Sequence, residues 1–312
     1  MAGNTLYSLI LELTATTTVT IPALRGDHTH ALFFDLVRQV DPVLSSRLHD
    51  VPEYRPFTVS RLRDAITGNG GQTHQTGQAS ARADDARHLV GPYHDLLQLR
   101  AGQTYQLRIT LLDGGEVWQR LSTHVMESER MSLHLDKAAF RLTRVLSTAG
   151  ADPTGWTGYT DWQTLAQGTT EIQTAERQLL TLHFASPCAF SLGNRRFALF
   201  PEPMLVWDSL MRTWNRYAPE VLRIEKTALR AFVNEHVTIH DHNLFTGKVA
   251  FIHHGQKGFQ GACTYRVPTG SAEAAQLLCL AEFARYAGIG SKTTMGMGQA
   301  RLISRSGVHA AS

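Results

Sequence analysis

The chain has 312 residues, of which 43% are hydrophobic and 18% charged, and its formal net charge is only +3. That length suits two domains of roughly 100–200 residues, and the apolar content suits packed cores rather than disorder. No apolar run approaches the roughly 20 residues that span a bilayer, and the opening MAGNTLYSLILELTATTT lacks a basic segment and carries Glu12 inside its apolar stretch, so a cytoplasmic location away from membranes is expected.

In chain order, residues 6–13 predict a strand, and Leu32, Phe33, Leu36, Val37 and Val40 lie at helical spacing and predict a helix over 29–40. Asp41-Pro42 ends that helix and opens a short second one through His49, and Phe57-Thr58-Val59 predicts a strand. Residues 69–87 are rich in Gly, Gln, Thr, Ser and Ala and predict a mobile loop. Strands are expected at 105–112 and within 131–146, with a helix between them at 115–126. The small polar run 147–161, holding Gly150, Pro153, Gly155 and Gly158, has linker composition and sets a boundary. Beyond it come a strand at 178–185, a helix at 201–217, strands at 249–252 and 262–267, a helix at 272–286, and a last strand at 299–303. Both halves therefore follow the order β-α-β-β-α-β, which predicts an α+β chain of two tandem ferredoxin-like (RRM-like, βαββαβ) domains, 1–150 and 151–312.

Three cysteines, Cys188, Cys263 and Cys279, show no CxxC spacing and read as reduced core thiols rather than a disulfide framework or zinc site. Histidine is more pointed: 15 are present, with close pairs at His28/His30, His240/His242 and His253/His254. In a strand, His240 and His242 would share a face, but no third or fourth metal ligand lies nearby in sequence.

Between the last predicted helix and strand lies Gly288-Ile289-Gly290-Ser291-Lys292-Thr293-Thr294-Met295-Gly296-Met297-Gly298. A P-loop needs Gly-Lys-Ser/Thr between strand and helix, whereas Ser291 separates Gly290 from Lys292 here and the order is helix, loop, strand. A Rossmann fingerprint fails because its third glycine would fall on Thr293, so neither ATP nor NAD is expected as a cofactor. Four glycines around one lysine would let backbone N–H groups approach a polyanion while Lys292 supplies charge; the competing reading is a plain turn.

The segment 283–298, with its preceding helix, resembles the C-terminal glycine-rich signature of the CRISPR repeat-processing endoribonucleases of the RAMP superfamily. Phe259-Gln260-Gly261 and Leu192-Gly193-Asn194-Arg195-Arg196, leading into Phe200-Pro201, support the resemblance, which is strongest over 179–303. In the first half, Asp41-Pro42-Val43-Leu44-Ser45-Ser46-Arg47-Leu48-His49-Asp50 is similar to the family segment that ends in its catalytic histidine, which would give that role to His49. Some members add a tyrosine and a lysine; Phe34 and Arg55 stand at those places, so that triad does not carry over. Others use two histidines, which points to His30 or His28 as a partner.

The resemblance implies cleavage of precursor CRISPR RNA without a metal, by attack of the RNA's own 2′-hydroxyl. The ends would be a 2′,3′-cyclic phosphate and a 5′-hydroxyl. On the expected helices, His30 lies in a first turn, where the dipole favours a neutral base. His49 lies at a C-terminus, where the dipole favours a protonated acid, and Arg55 could hold the phosphate. Gly288, Gly290, Lys292, Gly296, Gly298, Arg195, Arg196, Arg212, Arg216 and Lys257 are the candidate RNA contacts. Because the loop sits in the second domain and His49 in the first, Lys292 is expected to grip RNA rather than take part in the chemistry. The implied partner is CRISPR repeat RNA, with a homodimer and association with a CRISPR effector complex left open. The rival reading is a non-catalytic RNA-binding subunit of such a complex, against which the histidines weigh.

Overall fold

The computed structural model describes residues 5–22, 25–51, 55–64, 96–127, 131–135, 137–167, 177–252 and 254–308; the predicted loop at 69–87 and His253 lie outside them. The first sheet is built on β1 (Thr5–Ala15), followed by the short β2 (Val19–Pro22), α1 (Gly26–Val40), α2 (Pro42–His49), β3 (Phe57–Val59) and β4 (Arg63–Asp64). Then come β5 (Leu96–Leu99), β6 (Thr104–Leu111), α3 (Gly114–Glu127), β7 (Ser132–Leu135) and β8 (Ala138–Leu146). Strand order is β3-β6-β1-β8-β7, all antiparallel. Counting β1, β3, β6 and β8 as the four repeat strands, this is the 2-3-1-4 order of a ferredoxin-like sheet.

Beyond residue 150 the chain adds β9 (Gly158–Asp161), which pairs with β1, and α4 (Trp162–Gln167). The second sheet uses β10 (Arg177–Cys188), β13 (Thr238–Ala250), β14 (Gly255–Pro268) and β15 (Ala300–Val308) in the order β13-β14-β10-β15. Helices α5 (Pro203–Tyr217), α6 (Lys226–His236) and α7 (Ala272–Ala287) accompany it, and a small hairpin joins β11 (Phe190–Ser191) to β12 (Phe197–Ala198). The repeat order is again 2-3-1-4.

Each sheet buries one alternating face. Leu9, Leu11 and Leu13 of β1 meet Leu32, Phe33 and Leu36 of α1 in one core, and Leu180, Leu182 and Phe184 of β10 meet Trp207, Leu210, Trp214 and Phe283 in the other. Trp162 from α4 joins this second core, edge-on to Trp214 at 5.0 Å between ring centroids. Among the described residues no helix is long and apolar enough to cross a membrane.

Several elements differ from expectation. Helix α1 starts at Gly26, a turn earlier than predicted, and Gly26 packs under Met295 and Phe251 from the far end of the chain. The 131–146 stretch is a hairpin of two strands, and β2 pairs with β5 in a small sheet not foreseen. Helix α6 and the first eleven residues of β13 were also unforeseen. A bulge between Ile239 and Asp241 breaks the simple alternation of β13. His240 Nδ1 accepts from Arg266 at 2.8 Å, and His242 meets Phe200 edge-on at 5.4 Å. Their expected common face is therefore corrected: each has its own partner.

A polar seam joins the two halves. Arg108 of β6 is buried; its Nε donates to Ser8 Oγ at 3.0 Å and its other nitrogens donate to Gln299 Oε1 and the Arg285 carbonyl. Trp156 lies between two guanidinium groups, Arg108 at 4.5 Å and Arg301 at 4.4 Å. Thr110 Oγ1 donates to the Tyr286 carbonyl at 2.6 Å, so the end of α7, and the glycine-rich loop after it, dock on β3 and β6 of the first sheet.

Candidate active site between the two domains

Asp41 starts α2 by accepting hydrogen bonds from the N–H groups of Leu44 (3.0 Å) and Val43 (2.9 Å). Those bonds, the Leu44 bond foremost, together with Arg120, hold its carboxyl below the usual carboxylate range. The cap fixes the register that puts His49 at the last position of the helix, with 69% of its side chain exposed.

His30 projects from α1 toward the same point. Its Nδ1 lies 3.0 Å from the carbonyl oxygen of Thr294 in the glycine-rich loop; a carbonyl can only accept, so Nδ1 carries the proton. Nε2 is then the lone-pair nitrogen, and it accepts from Arg55 Nη1 at 2.8 Å. Arg55 also donates to the backbone carbonyls of His49 and Val51, each at 3.3 Å. Phe34 stands between the imidazoles, edge-on to His30 at 4.8 Å and to His49 at 5.4 Å, with the Arg55 guanidinium 5.9 Å from its ring. Two histidines, an arginine and an aromatic spacer thus form one cluster. Burial pushes the His30 pKa below its ordinary value, with Arg55 and His49 adding to the effect and the Thr294 carbonyl opposing it.

His30 lies in the second turn of α1, not the first, so its neutrality comes from burial and its partners rather than from the helix terminus. His28 occupies the first turn. Two residues apart on a helix are about 200° apart around it, so the face that brings His30 to Arg55 turns His28 elsewhere.

The loop is tightly packed. Its four glycine N–H groups all donate inside the fold: Gly288 to Ala284 (2.9 Å), Gly290 to Ser209 Oγ (2.9 Å), Gly296 to Val59 (2.9 Å) and Gly298 to Pro187 (3.0 Å). Without RNA these donors are therefore engaged within the protein, and the glycines also allow close packing. A Cβ on Gly298 (φ 68°) would lie 2.3 Å from the Ile289 carbonyl, and one on Gly290 (φ 84°) 2.6 Å from that of Ala189. Lys292 (φ 59°) donates its Nζ to His254 Nε2 at 2.8 Å and sits 3.9 Å over the Phe251 ring, and burial lowers its pKa. Nor is the loop remote from the histidines, as the domain assignment suggested, since Thr294 touches His30.

Arg55, Arg212, Gly288, Gly290, Lys292 and Thr294 line one cleft of about 690 Å³ at the junction of the halves. Arg212 is held there by buried Asp208, which Arg230 also engages, its Nε 2.7 Å from Oδ1. The other candidate cations lie elsewhere. Arg195 and Arg196 occupy the exposed β11–β12 turn, Lys257 is exposed opposite Lys248, and Arg216 lines a separate pocket of about 320 Å³ with Arg47 and Glu116. Thr294 and Asp208 were not singled out from sequence, and His254 stood out only as half of a histidine pair. The i,i+4 pair Asp208/Arg212 was the one available signal; a backbone carbonyl leaves none. Among the described residues no group of three or more His, Cys, Asp or Glu side chains could hold a metal ion.

A model of the CRISPR Cas6 N-terminal domain matches residues 5–167, more than half of the chain, and one of the CRISPR-associated endoribonuclease Cas6 matches residues 182–300. The chain belongs to the Cas6 family. It is 30% identical over 122 residues to the CRISPR-associated endoribonuclease Cas6 of Streptococcus thermophilus, a match covering 39% of this chain and 49%, about half, of that relative. Among solved structures, a Cas6 product complex is 26% identical with a TM-score of 0.69, covering 96% of this chain and 100% of that one. Thermus thermophilus Cas6 is 25% identical with a TM-score of 0.64, covering 96% and 99%. A Cas6-related protein from Pyrococcus furiosus, 14% identical with a TM-score of 0.52, shares the fold alone. The tandem ferredoxin-like arrangement expected from the element order is the one found.

Proposed function

We propose that this Cas6-family protein is an endoribonuclease that cuts precursor CRISPR RNA within the repeat, using acid–base chemistry and no metal. The observation that carries this reading is the arrangement of His30 and His49 about Phe34: one half-buried, neutral imidazole with its lone pair on Nε2, and one exposed imidazole across the ring. Such a pair can serve the two proton transfers that 2′-hydroxyl attack requires.

In the proposed reaction the 2′-hydroxyl loses its proton to His30 Nε2 while its oxygen forms a bond to the adjacent phosphorus. The bond from phosphorus to the 5′-oxygen breaks, and His49 donates a proton to that leaving oxygen. A 2′,3′-cyclic phosphate and a 5′-hydroxyl result. Arg55 occupies the Nε2 lone pair in the RNA-free protein; an arriving phosphate is a stronger partner for the guanidinium, so its transfer to the phosphate uncovers the base and stabilises the charge that develops. Arg212 and Lys292 hold neighbouring phosphates in the cleft, and Arg195, Arg196, Arg216 and Lys257 contact RNA beyond it. The first domain, proposed as 1–150, carries the histidines; the second, 151–312, carries the loop.

Incubating the purified protein with repeat RNA from its own genome, with and without EDTA, tests the reading. Site-specific cleavage that survives EDTA and leaves a cyclic phosphate is expected. Intact RNA would end the enzymatic proposal, and EDTA-sensitive cleavage would end its metal independence.

A further inference from the structure

His30 takes its acceptor from the other end of the chain. The carbonyl that fixes its Nδ1 proton belongs to Thr294, inside the short turn Thr293–Met295, and the chain around that turn is clamped at several points. The Lys292 carbonyl accepts from the N–H groups of Met295 (2.9 Å) and Met297 (3.3 Å), so Lys292 closes the turn that carries Thr294. The Lys292 side chain is held by His254 and Phe251, at the end of the β13–β14 hairpin. On the far side, the Gly296 N–H donates to Val59 of β3, and the Met295 carbonyl presses on Gly26 at the start of α1.

We infer that the glycine-rich loop is a positioning element of the catalytic centre: the Thr294 carbonyl selects the His30 tautomer whose Nε2 lone pair is turned to Arg55, which lines the cleft, and Lys292 links phosphate occupancy to that selection. This deepens the proposed function and rests on His30 being its base. Without the carbonyl, a neutral imidazole can place its proton on either nitrogen, and the form with Nε2–H cannot accept from the 2′-hydroxyl. With it, the proton is kept on the buried side. A phosphate on Lys292 competes with His254 for the ammonium, and any displacement of the lysine backbone passes to Thr294 through the two hydrogen bonds on the Lys292 carbonyl. Lys292 then acts through His30 as well as on RNA. The corresponding metal-site arrangement, in which a second group orients a ligating histidine through its other nitrogen, typically costs 10- to 100-fold when removed.

The experiment replaces Met295 by its α-hydroxy acid, turning the Thr294 carbonyl into a weakly accepting ester and also removing the Met295 N–H bond; the same exchange at Met297 controls for loss of a bond to the Lys292 carbonyl. Nitrogen-15 NMR of His30 in the RNA-free protein is the first readout. Wild type and the Met297 ester should show the Nδ1–H tautomer, and the Met295 ester a mixture. Single-turnover cleavage by the Met295 ester should fall about tenfold or more at unchanged RNA affinity, and the acidic limb of its pH–rate profile should move to lower pH, because the carbonyl that raises the His30 pKa has been weakened. Lys292→Ala should slow the bound complex as well as weaken binding. An unchanged tautomer and an unmoved pH limb in the Met295 ester would overturn the inference. The tautomer is measured without RNA, whereas His30→Ala cleaving at the wild-type rate would refute the base assignment itself, so the two failures are distinguishable.

Discussion

At the scale of single residues, the two histidines differ in what they are expected to tolerate. His49→Ala leaves the cleft intact and removes the proposed acid, so RNA affinity should stay close to wild type while single-turnover cleavage slows by about 10²–10⁴. His30→Ala should be as damaging to cleavage, whereas His28→Ala, on another face of α1, should have little effect; equal and mild losses for both would place the base elsewhere. The pH dependence follows from the environment of His30. Burial disfavours its cation, so the neutral base persists below the ordinary histidine value of about 6.5. The acidic limb of the kcat/KM profile is accordingly expected below that value, and a limb above it would exclude His30. His49 was visible in the sequence as the end of the resembling segment 41–50, and Arg55 as the residue standing where some members have a lysine. The preference for His30 over His28 rested in the sequence on a first-turn position that the structure gives to His28 instead; what supports His30 now is its contact with Thr294 and Arg55, which the sequence did not show.

At the scale of elements, the glycine-rich loop behaves as a packed part rather than a flexible one. Gly298→Ala places a methyl group against the Ile289 carbonyl in a left-handed conformation, and a loss of at least about 2 kcal/mol is expected by urea denaturation. Gly290→Val should cost as much or more because its branch is forced toward Ala189 and Cys188. A change within a few tenths of a kcal/mol at either position would mean the loop can relax. The sequence showed strongly patterned elements well: β1, β6, α5 and α7 each bury a periodic apolar face. It did not show α6, which buries only Leu229 and Val233, or the start of β13, an edge strand whose side chains are mostly exposed. A pattern-based reading detects burial, and these elements bury little. The loop was visible as composition, but its packing was not, because glycines that admit a phosphate and glycines that admit a neighbouring carbonyl look alike in one dimension.

At the scale of the whole molecule, the seam between the two sheets decides whether the site exists. Arg108→Leu would leave the Arg285 carbonyl and Gln299 without their donor and remove the stack on Trp156; a loss of about 3 kcal/mol is expected, measurable as a lower urea midpoint. Arg108→Lys should recover little of it, since an ammonium cannot serve three directions in one plane or stack on the indole. Stability equal to wild type in Arg108→Leu would show that the halves are held by their apolar contacts alone.

The bond between His30 and Thr294 joins residues 264 positions apart. During synthesis the first domain leaves the ribosome long before the loop has been translated, so a nascent chain holds His30 and His49 without the carbonyl that orders the base. The His30 imidazole thus gains its Thr294 acceptor only after nearly the whole chain has been made, which ties the order of the proposed site to completion of the second sheet.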